Sequence, residues 1–596
     1  MRPVLVLRRN LRPRGAALAA AILVMTLMLL IGLVFIQSAM TESNVASNAT
    51  NLVQAFYVAE AGLEAGYQQL RIKMNVNKPT SSDLAAVAPP AISNSTLSSR
   101  FTLAVTAAQV GANDYSTTID RGAHRGLRGL STDYEVTATA TGPRGSRVAL
   151  AQATHYLRVP LFQFGFFYGR GVALAINTGP EFTFNGRVHS NGNLYITDSC
   201  CGRSWYDSTM TAAGNFYMYR PDYPDRTYFW TIPKLKDSGG SYQLLDFDRQ
   251  VKNVREIAAG DTTKGGSVNV QWDAGSLDYW KSESIKRFGG MLLDSAHGVE
   301  EITPPLPDLF NNPASPDVVA HKLIEAGSVS DDAGLKANKL YYKADVVIKD
   351  GAAYTWNAGR TALNALSLAS CSAGTLSQVN NFTDKREGKI ITLRQVDVAK
   401  LTSCLGTLVA GWNQTLYVYE TTANTGVRLI NGGTLPSGGL TVVSENPVYV
   451  AGDYNTTNKQ AAAVLADAVT SLSNAWMTSG FDAKSNNVLS DRIATATTQN
   501  FAMAHGPNVE STPGVNNGHG ENAIRYLEDW TNKSHTYSGS IVGLWHSTKA
   551  TGGFIGPGTY YNPPNRTWGY DTLFNTLQPP STPMGVVVTR GAWVKK

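Results

Sequence analysis

Three stretches of the chain combine cations with aromatic rings or turn residues, a mixture able to grip phosphates and stack bases. Tyr206 to Trp230 (YDSTMTAAGNFYMYRPDYPDRTYFW) interleaves tyrosines with Arg220 and Arg226. KANKLYYK sets Lys336, Lys339 and Lys343 around Tyr341 and Tyr342. Read as a strand, that segment puts Lys339, Tyr341 and Lys343 on one face. The loop Asp120 to Leu130 carries Arg121, His124, Arg125 and Arg128. Each stretch has a bland counterpart: rings packing on themselves under a loop, or a basic loop dissolved in water. All three are candidates for DNA contact, and the aromatic one equally for stacking on sugars.

Catalysis finds no comparable foothold. The chain has no G-x-S-x-G, no H-E-x-x-H, no P-loop and no EF-hand loop. Nine histidines are scattered, and the intervals between His505, His519, His535 and His546 fit no standard zinc site. His189, in VHSNG, reads as a turn residue. Asp453 (GDYN) and Asp571 (GYDT) sit beside glycines, where aspartate ordinarily caps turns. The expectation is a non-enzyme with no metal and no cofactor. Four cysteines and no C-x-x-C leave disulfides as the remaining thiol chemistry. Cys371 and Cys404 are disulfide candidates, whereas the adjacent Cys200 and Cys201 leave other pairings open.

What must position these residues begins with an apolar run. A basic leader, MRPVLVLRRNLRPRG, opens into AALAAAILVMTLMLLIGLVFIQSAMT (Ala16 to Thr41), and the next charge is Glu42. Roughly 20 apolar residues span a bilayer as a helix, so the run suffices. A cleaved secretory signal places its small-residue site after a shorter core, whereas here Arg14-Gly15 precedes it. The helical pattern then continues: Val45, Ala49, Leu52, Phe56, Ala59 and Leu63 step by four and three, keeping one stripe toward a partner. The net charge of +6 falls to +1 once the leader's Arg2, Arg8, Arg9, Arg12 and Arg14 are removed. The bulk charge therefore gives no case for a nucleic-acid partner, and any such site must be local.

QAFYVAEAGLEAGYQQL (Gln54 to Leu70) resembles the N-terminal region of the PilX-type minor pilins, whose helices carry a similar A-F-x-A-A-E-A. The resemblance implies prepilin-peptidase cleavage between Gly15 and Ala16, with Ala16 the N-methylated mature terminus. Most pilins carry glutamate at the fifth mature position. Ala20 stands there instead, a departure shared with the tip pseudopilin of type II secretion, and it hints at a capping or tip place.

Met74 to Ser99 is rich in Pro, Ser and Asn and reads as a linker. Arg100 to Val110, Asp133 to Thr141 and Ser146 to Val159 alternate apolar and polar residues as strands do, the last two joined by a Gly142-Pro-Arg-Gly145 turn. Beyond Pro160, short apolar runs alternate with Gly- and Asn-rich turns without a strict period, which suggests a β-solenoid or a large sandwich. Lys459 to Trp476 reads as a helix with Ala462, Leu465, Val469 and Leu472 on one side. AIRYLEDW, YSGSIVGLWHS and YYNPPNRTWGYDTLF resemble segments of large pilin-like proteins of the Thermus–Deinococcus group, in which a competence pilin carries a β-solenoid inserted into its pilin sheet. That resemblance implies that GVVVTRGAWVKK (Gly585 to Lys596) returns to the pilin sheet.

The expected fold is α+β: a long N-terminal pilin helix on a small antiparallel sheet, with a large inserted β-solenoid-like domain. Its expected divisions are a leader at 1–15, a helix at 16–75 with 16–41 transmembrane, a linker and sheet at 76–159, the large domain at 160–580 and a returning strand at 581–596. The expected role is a minor or tip subunit of a type IV pilus that binds DNA for uptake in natural transformation. The alternatives are a priming or capping pseudopilin, for pili or type II secretion, that binds no DNA, and a surface adhesin. The expected partners are other pilins, the assembly machinery, prepilin peptidase, the inner membrane before assembly, and DNA. The expected location is the inner membrane, single-pass with the N-terminus cytoplasmic, and then an extracellular pilus or periplasmic pseudopilus.

Overall fold

The computed structural model of the chain describes residues 14–179, 181–198, 202–223, 231–246, 277–306, 309 and 314–596. One helix, α1 (Arg14–Val76), takes up 63 residues. At 1.5 Å per residue it is about 95 Å long. Alanine and leucine favour it throughout, and its threonines do not interrupt it. The Thr26, Thr41 and Thr50 hydroxyls donate to carbonyls four residues back, at 2.7, 2.8 and 2.9 Å, so they bring no unpaired donor to the apolar stretch.

The second half of α1 lies on an antiparallel sheet of β1 (Thr102–Thr118), β2 (Arg128–Thr141), β3 (Arg147–Pro160) and the C-terminal strand (Met584–Lys595), paired in that order. Ala55, Val58, Ala59, Leu63, Leu70 and Met74 pack against Val105, Tyr134, Val136, Ala138, Val148, Leu150, Tyr156, Val586 and Val588. Two glycines set how closely helix and sheet approach. A Cβ on Gly62 would stand 2.7 Å from Leu103, and one on Gly66 would stand 2.7 Å from Val105 and 2.8 Å from Val136. Arg590, on the C-terminal strand, adds a 2.6 Å ion pair to Glu64 and lies over the Tyr67 ring at 3.7 Å.

Everything between Pro160 and Met584 is inserted between two neighbouring strands of this sheet, β3 and the C-terminal strand. The two crossings run side by side, with Leu161 N–H donating to the Pro583 carbonyl at 2.9 Å. The insertion is a β-solenoid in two wings. In the first, Phe166–Tyr168, Val188–Ser190 and Met210–Ala212 stack in parallel register away from the entry point. Leu174–Thr178, Leu194–Asp198 and Phe216–Tyr217 form a second face. His189 and Thr211 occupy equivalent places on adjacent coils, 22 residues apart. The chain then crosses to the far end of the molecule. It winds back through Val346–Lys349, Thr415–Tyr419, Leu440–Ser444, Ala462–Ala466, Thr497–His505 and Ser534–Gly543, again in parallel. The wings meet where Ile541 pairs with Phe166, so one long sheet runs through both. At the far end two antiparallel strands, Ala352–Trp356 and Leu363–Leu366, close the edge.

Two expectations fail here for one reason. Lys459 to Trp476 is no helix: Ala462–Ala466 and Val469–Leu472 are strands of two different sheets, and only Asn474–Thr478 is helical. Both strands are buried on both faces, so AAAVLADAVTSL lacks strand alternation and its apolar spacing mimics a helix. His189 is likewise no turn residue. It lies within Val188–Ser190, fully buried, with Nδ1 on Thr211 Oγ1 at 2.8 Å and Nε2 on Asn191 Oδ1 at 2.9 Å.

Candidate functional site: the divided helix and the exposed cations

The apolar stripe of α1 is divided by what it touches. Ala59 and Leu63 are buried on the chain's own sheet, and Phe56 is half-buried with its ring 6.1 Å from that of Trp593. Val45, Ala49 and Leu52 lie outside the apolar cluster shared with the sheet and are exposed, Val45 at 63% and Leu52 at 45%. Gly15 and Ala16 lie exposed at the start of α1. The most apolar 18-residue window of the helix has mean hydropathy 2.9 with none of it buried, long and apolar enough to cross a membrane. Pattern alone does not divide the stripe, because the apolar spacing runs through both halves. The signal lies in Gly62 and Gly66, which mark close packing.

The cations separate into exposed and committed. Arg121, Arg125 and Arg128 are exposed, Arg121 with Asp120 3.5 Å away in an equally exposed pair. Their loop is pinned rather than loose: Ile119 N–H donates to the Leu127 carbonyl at 2.9 Å, Gly126 N–H donates to the Ile119 carbonyl at 2.7 Å, and buried His124 places Nε2 2.9 Å from the Glu300 carbonyl. The His124 ring also stands edge-on to His189 at 5.3 Å, tying the headgroup loop to the solenoid core. Arg220, in contrast, is a two-pronged partner of Asp222, at 2.6 and 3.2 Å, and its guanidinium covers Tyr223 at 5.0 Å. Burial opposes the Asp222 charge, but His519 and Arg220 hold its carboxyl down at about 2. Arg226 lies outside the described residues.

KANKLYYK forms no strand. It makes two short helices, Ala333–Asn338 and Leu340–Lys343, which scatter its lysines. Lys336 is exposed. Lys339 is 1% exposed and paired with Asp331 at 2.9 Å. Lys343 is half-buried, and burial lowers its ammonium pKa. Tyr341 packs inward on Trp356 and Tyr417, with rings 5.3 and 5.0 Å apart. Lys339 therefore has no free charge to offer a phosphate.

The aromatic segment contributes Tyr217 and Tyr219, which with Tyr195 form a half-buried cluster of rings 5.1 to 5.4 Å apart on the solenoid's second face. Asn193 and Asn215, 22 residues apart, each donate to the tyrosine hydroxyl two residues on, at 3.2 and 2.9 Å. This repeat, GNLY then GNFY, is a sequence signal of coil stacking. Cys371 and Cys404 form a disulfide with Cα atoms 5.5 Å apart, joining a loop to the helix Val398–Leu408. Cys200 and Cys201 lie outside the described residues. Among the described residues no group of His, Cys, Asp and Glu is arranged to hold a metal ion.

Residues 14–64, the first four-fifths of α1, match the PilX N-terminal family. Among solved structures the chain is similar to the competence-associated pilin ComZ from Thermus thermophilus, at 11% identity over 92% of this chain and 98% of that one. The TM-score is 0.25, a superposition too loose to carry any argument about function. No curated protein sequence matches the chain significantly.

Proposed function

We propose that the protein is a minor subunit of a type IV pilus, cleaved between Gly15 and Ala16 and N-methylated at Ala16, and that its large extracytoplasmic part contacts DNA during uptake through the basic loop that its headgroup braces against the solenoid. The observation that carries the pilus reading is the division of α1. One continuous helix seats its second half on a small sheet and leaves a long apolar first half unburied among the described residues. A membrane covers such a surface before assembly, and the helices of neighbouring subunits cover it afterwards. The nucleic-acid part rests on Arg121, Arg125 and Arg128, three exposed cations on a loop braced against the solenoid. Lys336 and Arg220 are outlying contributors at most, since Arg220 is already neutralised by Asp222.

The test is DNA binding by the full chain in detergent, titrated at several salt concentrations. Neutralising three phosphates gives a log–log salt slope of about −2 to −3. The reading expects Arg121→Gln/Arg125→Gln/Arg128→Gln to remove most of that slope. An unchanged slope in the triple variant, or no binding at low salt, overturns the DNA role. A second reading, a capping or priming subunit that binds no nucleic acid, is favoured by Ala20 in place of the usual glutamate. It expects a strain lacking the gene to lose pili while the protein itself ignores DNA.

A further inference from the structure

Where the basic loop meets the first solenoid coils, a cleft of about 330 Å³ is lined by Gly126, Arg128, Gln163, Asn185, Arg187 and Tyr570, with Ser208, Thr572 and Asn575 along its rim. We propose that this cleft is a binding site for a phosphoryl group, held between the guanidinium groups of Arg128 and Arg187.

Both cations lack the carboxylate partner that several arginines elsewhere in the molecule have. Arg220, Arg287, Arg394, Arg428 and Arg525 each sit on a carboxylate. Arg187 is half-buried, yet its side chain's hydrogen bond goes to the neutral Thr209 hydroxyl at 3.3 Å. Burial works against its charge. Among the described residues neither Arg187 nor Arg128 forms an ion pair. A half-buried guanidinium without a counter-ion is a costly arrangement, and an arriving anion relieves it.

The cleft is also built rather than incidental. The backbone of Arg128 is clamped by Gln163, whose Oε1 accepts from the Arg128 N–H at 2.9 Å and whose Nε2 donates to the Arg128 carbonyl at 2.6 Å. The guanidinium takes no part in that clamp. Asn185 likewise brackets the Tyr570 backbone, at 2.7 and 3.3 Å. Gly126, at φ +87°, lets the loop close down onto Arg187: a Cβ there would stand 2.6 Å from Nη2. The Tyr570 hydroxyl donates to Asn575 Oδ1 at 2.9 Å, which leaves the Asn575 amide N–H groups as neutral donors at the rim.

Two guanidinium groups with neutral donors and no acid in the lining suit a tetrahedral phosphoryl oxyanion, whose oxygens can be approached from several sides. A single carboxylate would satisfy one arginine fork and leave the other. The proposal shares Arg128 with the DNA reading and otherwise stands on the cleft. The phosphoryl group has two sources, free phosphate or the phosphodiester of a nucleic-acid strand, and these are separable in experiment.

The test uses the full chain in detergent, with inorganic phosphate, acetate and a single-stranded oligonucleotide as probes in calorimetric titrations. Wild type should bind phosphate saturably and acetate at least tenfold more weakly. Arg187→Gln and the exposed Arg128→Gln should each weaken phosphate by about ten- to a hundredfold, the range for a lost charge-assisted hydrogen bond. Arg147→Gln, an exposed arginine on β3 away from the cleft, should leave it unchanged. Because Arg187 is half-buried, Arg187→Lys guards against misfolding: it should retain folding and lose most affinity, since an ammonium cannot fork. Because Arg128 also belongs to the basic loop, the source is read from Arg187→Gln: oligonucleotide binding weakened about tenfold along with phosphate makes the source a phosphodiester. If phosphate binding falls in Arg187→Gln while oligonucleotide binding holds, the source is free phosphate, and the DNA reading is tested on Arg121 and Arg125. No saturable phosphate binding at low salt, or equal binding in wild type and both cleft variants, overturns the proposal.

Discussion

The headgroup and the solenoid bury their residues by opposite rules. In β2 buried and exposed positions largely alternate along Arg128–Thr141, because one face meets α1 and the other meets water. In Leu440–Ser444 and Ala462–Ala466 every residue is buried, because the sheet is covered on both sides. The headgroup accordingly holds its charges at the surface, as with Arg590 on Glu64. The solenoid takes polar groups inside and pairs its buried carboxylates there. Asp467, fully buried, accepts from Ser547 Oγ at 2.5 Å, from the Thr548 N–H at 2.6 Å and from the Ala550 N–H at 2.8 Å, and it faces His321 Nε2 at 3.3 Å. Stability in the first module comes from apolar contact, and in the second it also depends on satisfied internal polar groups.

The largest effect should come from breaking the buried network. Asp467→Ala leaves His321 charged and buried beside Glu325, and should cost about 3–5 kcal/mol. Chemical unfolding of the full chain, with hydrogen exchange to localise the loss, should place that loss in the strands around Ala462–Ala466 and leave the headgroup protected. Leu70→Ala should do the reverse. It opens a cavity between α1 and the sheet worth about 2–5 kcal/mol, with exchange rising in β2 and β3 and not in the solenoid.

A pH titration sharpens the contrast next. Burial works against the His321 charge, but Asp467 and Glu325 push its pKa up to about 9 from an ordinary 6.5. A pKa raised on folding stabilises fully below the ordinary value, and that contribution is lost as pH rises through the folded one. Solenoid stability should therefore fall between pH 6.5 and 9, by something on the order of 1–3 kcal/mol. His321→Gln should flatten that slope, and the headgroup transition should not share it. The smallest effect should be Arg590→Gln. It removes a half-exposed ion pair and ring contact and should cost about 1 kcal/mol or less, read as a small shift of the headgroup midpoint.

The same difference in burial decides what the sequence makes legible. Alternation in DYEVTATAT and SRVALAQATHYLRV exposes the headgroup strands directly, and the charge-free run with its Gly15 boundary exposes the helix. In the solenoid, strands buried on both faces carry no period of two, which is why Lys459 to Trp476 reads as helical. The coil period is also hidden. It is 22 residues between Asn193 and Asn215, yet the register partners Gln395 and Arg428 in the other wing stand 33 apart. Local composition identifies cations but not their partners. Lys339 and Arg220 read like Arg128 until Asp331 and Asp222, each supplied by a turn of the fold, are seen to neutralise them. Arg187, from a different coil, joins Arg128 only through the tertiary approach of the loop at Gly126.

The most direct test of the divided helix is site-specific photocrosslinking in assembled filaments, with the crosslinker at Leu52 or at Leu70. The account predicts adducts to other pilin chains from position 52 and only intramolecular products from position 70. Filaments that contain the protein yet yield no intermolecular adduct from position 52 would contradict it.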